Sequence, residues 1–92
     1  MVTRINQFVA KSGSEQKLYD FMNSVVSTIK QCPGCLSVRL LRAQDSAANL
    51  VIIEEWQSVE AHQQAAKAIP PETMKEAVAL FASPPTGTYY RD

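Results

Sequence analysis

Ninety-two residues, 46% apolar and 20% charged, fit one small globular domain spanning residues 1–92 and exclude a disordered chain. Nine basic residues cancel nine acidic ones and the pI is near 6.6, which argues against nucleic acid or an anionic membrane as partner, since both need a basic surface. No apolar run approaches the roughly 20 residues of a membrane span, and Met1 to Gln7 lacks the apolar core of a signal peptide, so a cytoplasmic location is expected.

Val2 to Ala10 reads as a first strand, with Ile5 and Val9 on one face and Arg4, Asn6 and Phe8 on the other. Ser12 with Glu15 fits a capping box, and Ser14 competes as the cap. A helix follows to about Gln31, because Leu18, Phe21, Met22, Val25, Val26 and Ile29 recur at steps of three and four. Cys32-Pro33-Gly34 ends it. Cys35 to Ala43 is the second strand, and Gln44 to Asn49 reads as a polar hairpin loop.

Leu50 to Trp56 is the third strand and the most informative stretch. One face carries Leu50, Ile52, Glu54 and Trp56; the other carries Val51, Ile53 and Glu55. A strand that is apolar on both sides calls for a covering layer on each. Ser58 caps a helical region from Val59 to Ile69, Pro70-Pro71 interrupts it, and Pro71 starts a further helix bearing Met74, Ala77, Val78 and Phe81. Ser83-Pro84-Pro85 leads into a last strand, Thr86 to Arg91.

The order β-α-β-β-α-β predicts a ferredoxin-like α+β fold, a four-stranded antiparallel sheet with its helices on one face. Phe8, Leu50, Ile52, Trp56 and one tyrosine are then expected on the bare face. A second copy packing sheet to sheet would cover them, because exposing several such side chains forfeits about 1.5–3 kcal/mol each. The expected partner is therefore another copy of the chain, with a cavity between the two sheets.

Asn6 and Glu54 fall on the same predicted face as Trp56, and His62, the only histidine, lies early in the next helix. A mostly apolar pocket with a few polar groups suits a small molecule. Each residue also has a plainer reading. His62 is either a packed helix-start histidine or a general base, and Trp56 is either core or ligand contact. Glu54 either pairs with Arg4, Arg39 or Arg42 or faces a ligand. Asn6 either satisfies backbone groups or binds. The Cys32-Pro33-Gly34-Cys35 motif follows a helix C-terminus, where the dipole opposes a thiolate. Two cysteines and a distant histidine also fall short of the roughly four ligands zinc takes. A turn is the favoured reading.

Pro33-Gly34-Cys35-Leu36, Glu54-Glu55-Trp56-Gln57-Ser58, Glu60-Ala61-His62 and Pro84-Pro85 together resemble the antibiotic biosynthesis monooxygenase family of dimeric α+β barrels. The resemblance implies a monooxygenase without cofactor or metal, oxidising a small electron-rich aromatic of the quinol or anthrone type in a homodimer. It also implies that Trp56 lines the pocket. His62 and Ile52 stand where quinone-forming members carry a tyrosine and an asparagine. Haem-degrading relatives share Asn6, but their helix tryptophan and haem-ligating histidine fall on Ala65 and Lys75, which argues against haem. The expected assignment makes His62 and Asn6 catalytic, with Trp56, Phe8, Glu54 and Ile52 contacting substrate. A non-catalytic dimeric binding module and an isomerase on the same barrel are the alternatives.

Overall fold

The computed structural model describes residues 1–92. Its elements run β1 (Val2–Val9), α1 (Glu15–Lys30), β2 (Cys35–Ala43), β3 (Ser46–Trp56), α2 (Val59–Lys67), α3 (Pro71–Val78) and β4 (Thr86–Tyr90). The strands form one antiparallel sheet in the order β2-β3-β1-β4. This is the expected ferredoxin-like α+β architecture, with the second helical region broken in two by Pro70-Pro71. No helix is long and apolar enough to cross a membrane.

The boundaries follow from local chemistry. Ser14, not Ser12, is the N-cap of α1, and no side chain bonds the first turn. The Ser58 hydroxyl does cap α2, accepting from the Ala61 N–H at 3.1 Å. Pro71 opens α3, where its missing N–H costs nothing. That helix stops at Val78, earlier than the apolar spacing suggested, and Phe81 instead makes an antiparallel bridge with Ala10. The β2–β3 hairpin is tighter than expected. Only Gln44 and Asp45 form the turn, and β3 begins at Ser46.

The two faces of the sheet are exchanged relative to the sequence expectation. Registers Phe8–Leu50, Asn6–Ile52, Arg4–Glu54 and Val2–Trp56 put these residues on one face. That face lies beneath the helices, not bare. Leu50, Ile52, Glu54 and Trp56 are all buried within a single chain, Trp56 completely. They pack with Leu18, Met22, Val26 and Ile29 of α1 and with Ala65, Ala77 and Phe81. The bare face carries Ile5, Leu41, Val51 and Ile53 instead, brought together by the registers Ile5–Ile53 and Leu41–Val51. The bulkier set, with the indole and the leucine, takes the covered side. Apolar alternation alone does not rank two greasy faces.

Cys32-Pro33-Gly34-Cys35 forms a tight turn closed by the Cys35 N–H donating to the Cys32 carbonyl at 3.2 Å. Gly34 sits at φ +86°, the position in a type II turn that favours glycine after a proline. Both thiols are free. The turn packs tightly on α2, where a Cβ at residue 34 would lie 2.6 Å from that of Ala61. Gly13 has a similar φ of +87° but open space around it. Gly34→Ala is therefore expected to cost about 1–3 kcal/mol in backbone strain and more again through the clash, visibly exceeding Gly13→Ala in paired thermal melts. Equal losses would show that the Ala61 contact does not constrain the turn.

Candidate functional site

A cavity of about 320 Å³ opens between the helices and the covered sheet face, within the range of small-molecule sites. It lies inside one protomer and not between two sheets. All six residues expected to form the site line it: Asn6, Phe8, Ile52, Glu54, Trp56 and His62. Apolar walls come from α1, through Phe21, Met22, Val25 and Ile29, and from the α2–α3 region, through Ala65, Ile69, Met74 and Phe81, and Arg4 joins the lining from β1. The alternation of β1 and β3 delivers the polar groups, and the Ser58 cap fixes where α2 starts and hence where His62 points.

Glu54 is the centre of the polar network. It is the one charged residue that is buried, at 2% exposure. Its Oε1 accepts from the Trp56 indole N–H at 2.8 Å, and its Oε2 accepts from the Asn6 amide at 2.9 Å. Asn6 Oδ1 in turn accepts from Arg4 Nε at 3.0 Å. Both polar ends of Asn6 are thus used inside the protein, as an amide spacer between guanidinium and carboxylate. Of the three arginines considered for Glu54, Arg39 lies on the other face and Arg42 stacks on Tyr19, 3.9 Å from the ring centroid. Arg42, paired with Leu50, shares the carboxylate's face but is held at Tyr19, so Arg4 is the arginine that lines the cavity beside Glu54. Burial raises the Glu54 pKa above the ordinary carboxylate range, outweighing the indole bond, the Arg4 charge and the Asn6 bond, which pull it down.

His62 is held from two sides. Its Nδ1 lies 2.6 Å from the Tyr89 hydroxyl, and its Nε2 lies 3.7 Å from Glu54 Oε1. The ring meets Trp56 edge-on at 5.5 Å and Tyr89 at 5.3 Å. Burial and, secondarily, the Arg4 charge lower the His62 pKa below 6.5, so the imidazole is neutral at pH 7. The contact with Glu54 is accordingly that of a neutral ring beside a carboxyl group. A neutral imidazole with one nitrogen tethered and the other near a carboxylate is equipped to take up a proton.

Tyr89 is a site residue beyond the six expected; it enters through β4, where it pairs with Arg4. Its signal was strand parity: the Tyr89-Tyr90 pair must place one ring on each face. Trp56 is already engaged with Glu54 and His62, so it buttresses the polar end. Phe8 stacks on Phe81 at 5.5 Å and gives the opposite wall. No three His, Cys, Asp or Glu side chains gather as they would around a metal ion.

The chain matches the family model described as antibiotic biosynthesis monooxygenase over residues 1–82. Similar solved structures include an antibiotic biosynthesis monooxygenase (TM-score 0.90, 21% identity, covering 100% of this chain and 98% of that one). SnoaB, a cofactor-independent oxygenase from Streptomyces nogalater, has a TM-score of 0.83 and 20% identity, covering 99% and 91% of the two chains. Rv0793 from Mycobacterium tuberculosis has a TM-score of 0.86 and 19% identity, covering 99% and 93%. At these identities the structural likeness establishes the fold. A search of curated proteins found no match.

The electrostatics give opposite pH slopes for two neighbours. The lowered His62 pKa means that the unfolded chain binds the proton first, so this residue's contribution to stability is lost as pH falls from 6.5 toward the folded value. The raised Glu54 pKa means that its contribution is lost as pH rises from 4.5 through the folded value. An NMR titration should place the His62 midpoint below 6.5. A midpoint at or above 6.5 would mean the Glu54 carboxylate, not burial, governs the ring.

Proposed function

The chain belongs to the antibiotic biosynthesis monooxygenase family, and from that premise we propose that it is a cofactor-independent monooxygenase acting on a small electron-rich aromatic of the quinol or anthrone type. The observation that carries this reading is the neutral His62, aimed into an apolar cavity with Tyr89 on one nitrogen and Glu54 beside the other. Similarity to SnoaB, described as a cofactor-independent oxygenase, supports it.

With its proton on Nδ1, donated to the Tyr89 oxygen, His62 presents Nε2 as the base. It removes a proton from an activated ring CH₂ or hydroxyl. The imidazolium that forms lies beside Glu54, which stabilises the new charge in a site shielded from water. For an anthrone-like CH₂, the carbanion passes one electron to dioxygen, and the resulting radical pair joins to a peroxide anion that takes the proton back from the His62 imidazolium. Loss of the remaining C–H proton and of hydroxide from the hydroperoxide, together one water, then leaves a carbonyl and a neutral His62. One oxygen atom enters the product and the other leaves as water, so the substrate supplies all the electrons. The protein positions, desolvates and takes the proton.

Assembly as a homodimer is also proposed. The bare face, with Ile5, Leu41, Val51 and Ile53 side by side and Tyr90 about half exposed at its edge, is the apolar surface a second copy would cover. The indole does not need that copy for shelter, since one chain buries it fully.

Oxygen uptake on a panel of anthrones and hydroquinones tests the reaction. His62→Ala should lose about 10²–10⁴-fold in rate, the usual contribution of a general base, and Tyr89→Phe should lose less while shifting the pH profile. A His62→Ala variant as fast as the parent rules out this base. Ligand-induced fluorescence change with no oxygen uptake would mark a binding module, and anaerobic turnover an isomerase. Sedimentation velocity should find a dimer that Ile53→Lys dissociates; a parent that remains a monomer at micromolar concentration contradicts the assembly.

A further inference from the structure

Arg4 is the cationic side chain in the cavity lining, and its surroundings fix it without neutralising it. Its Nε is spent on Asn6 Oδ1. Its guanidinium carbon lies 4.6 Å from the centroid of the Tyr89 ring, within cation–π range. Gly87, the β4 residue paired with Asn6, completes the seat. A Cβ there would collide with the Arg4 guanidinium, reaching 2.6 Å from Cζ, and with Asn6 Oδ1 at 2.5 Å.

No carboxylate lies within ion-pair distance of Arg4; the only such contact in the chain is between His62 and Glu54. Asn6 stands between Arg4 and Glu54, bonded to both. The terminal nitrogens therefore carry donors for which the protein supplies no acceptor, at the edge of a mostly apolar cavity where Thr86 and Gly87 also contribute to the wall. A guanidinium so placed is suited to a planar oxygen anion, which it can meet through two parallel N–H bonds.

We infer that Arg4 is a specificity-determining residue, and that the cavity selects aromatic ligands bearing an oxygen anion, either a ring carboxylate or an ionised ring hydroxyl. This deepens the proposed monooxygenase reading and rests on it for the substrate's aromatic character. A substrate anchored by its anion at Arg4 would extend its ring along the apolar wall toward Phe8 and present its reactive position to His62. The same placement would let Arg4 hold the negative charge of a substrate once His62 has removed its proton.

The test is binding, so it does not depend on turnover. Isothermal titration at neutral pH compares 1-naphthoate with its uncharged methyl ester, and 2,4-dinitrophenolate with 2,4-dinitroanisole. The charged member of at least one pair should bind about tenfold or more tightly, in keeping with a charge-assisted hydrogen bond. The pair showing the preference identifies carboxylate or ring oxyanion. Arg4→Gln should erase that preference. Gly87→Ala, which keeps the charge but displaces the guanidinium, should reduce it while circular dichroism stays that of the parent. His62→Ala should retain it, so that a failed base and a failed anion site give different results. No preference for either anion in the parent, or full preference surviving in Arg4→Gln, would overturn the inference.

Discussion

A carboxylate almost wholly removed from water, with no cation in direct contact, is the constraint around which the protein is arranged. Burying an ionised group costs several kcal/mol on the order expected for real proteins, and at Glu54 the Trp56 indole bond, the Arg4 charge and the Asn6 amide bond offset only part of it, so burial still raises the pKa. Those bonds fix the rotamers of both partners. Asn6 then orients Arg4, Arg4 lies across Tyr89, and Tyr89 holds His62. The polar chain spans three adjacent strands and α2. It gives the otherwise greasy chamber one defined polar end.

That arrangement explains why the scaffold is built as it is. The covered face of the sheet must accept the network, so the central pair β1 and β3 carries it and the edge strand β4 contributes Tyr89 and a glycine where the guanidinium needs room. The Ser58 cap and the Gly34 turn press the start of α2 onto the sheet, which sets the height of the imidazole above Glu54. Packing beneath the helices removes Glu54 and much of His62 from solvent, and burial accordingly dominates both shifted pKa values there.

Much of this was legible in the sequence. Periodicity, caps and prolines yield the element order, and strand parity places Asn6, Phe8, Ile52, Glu54 and Trp56 on a common face. The assignment of that face was not legible. Leu50 and Ile52 on one side and Val51 and Ile53 on the other satisfy the same pattern, and only packing against α1 distinguishes them. The cavity consequently moved from between two copies to the interior of one. Parity puts one of the two β4 tyrosines on that common face, but which one, and its bond to His62, depend on the β1–β4 register, a long-range pairing that no local spacing encodes. Arg4 is legible only as one of three possible cross-strand partners of Glu54, since its seat is created by an absent Cβ on a distant strand.

The cavity under the helices of a single chain, and not the bare face, is the proposed seat of the aromatic ligand. Intermolecular NOEs from a bound aromatic such as 1-naphthoate to assigned methyl groups test it most directly. The account predicts contacts to Met22, Val25 and Ile52 of the covered side. Contacts to Leu41, Val51 and Ile53 instead would place the ligand against the bare face and contradict it.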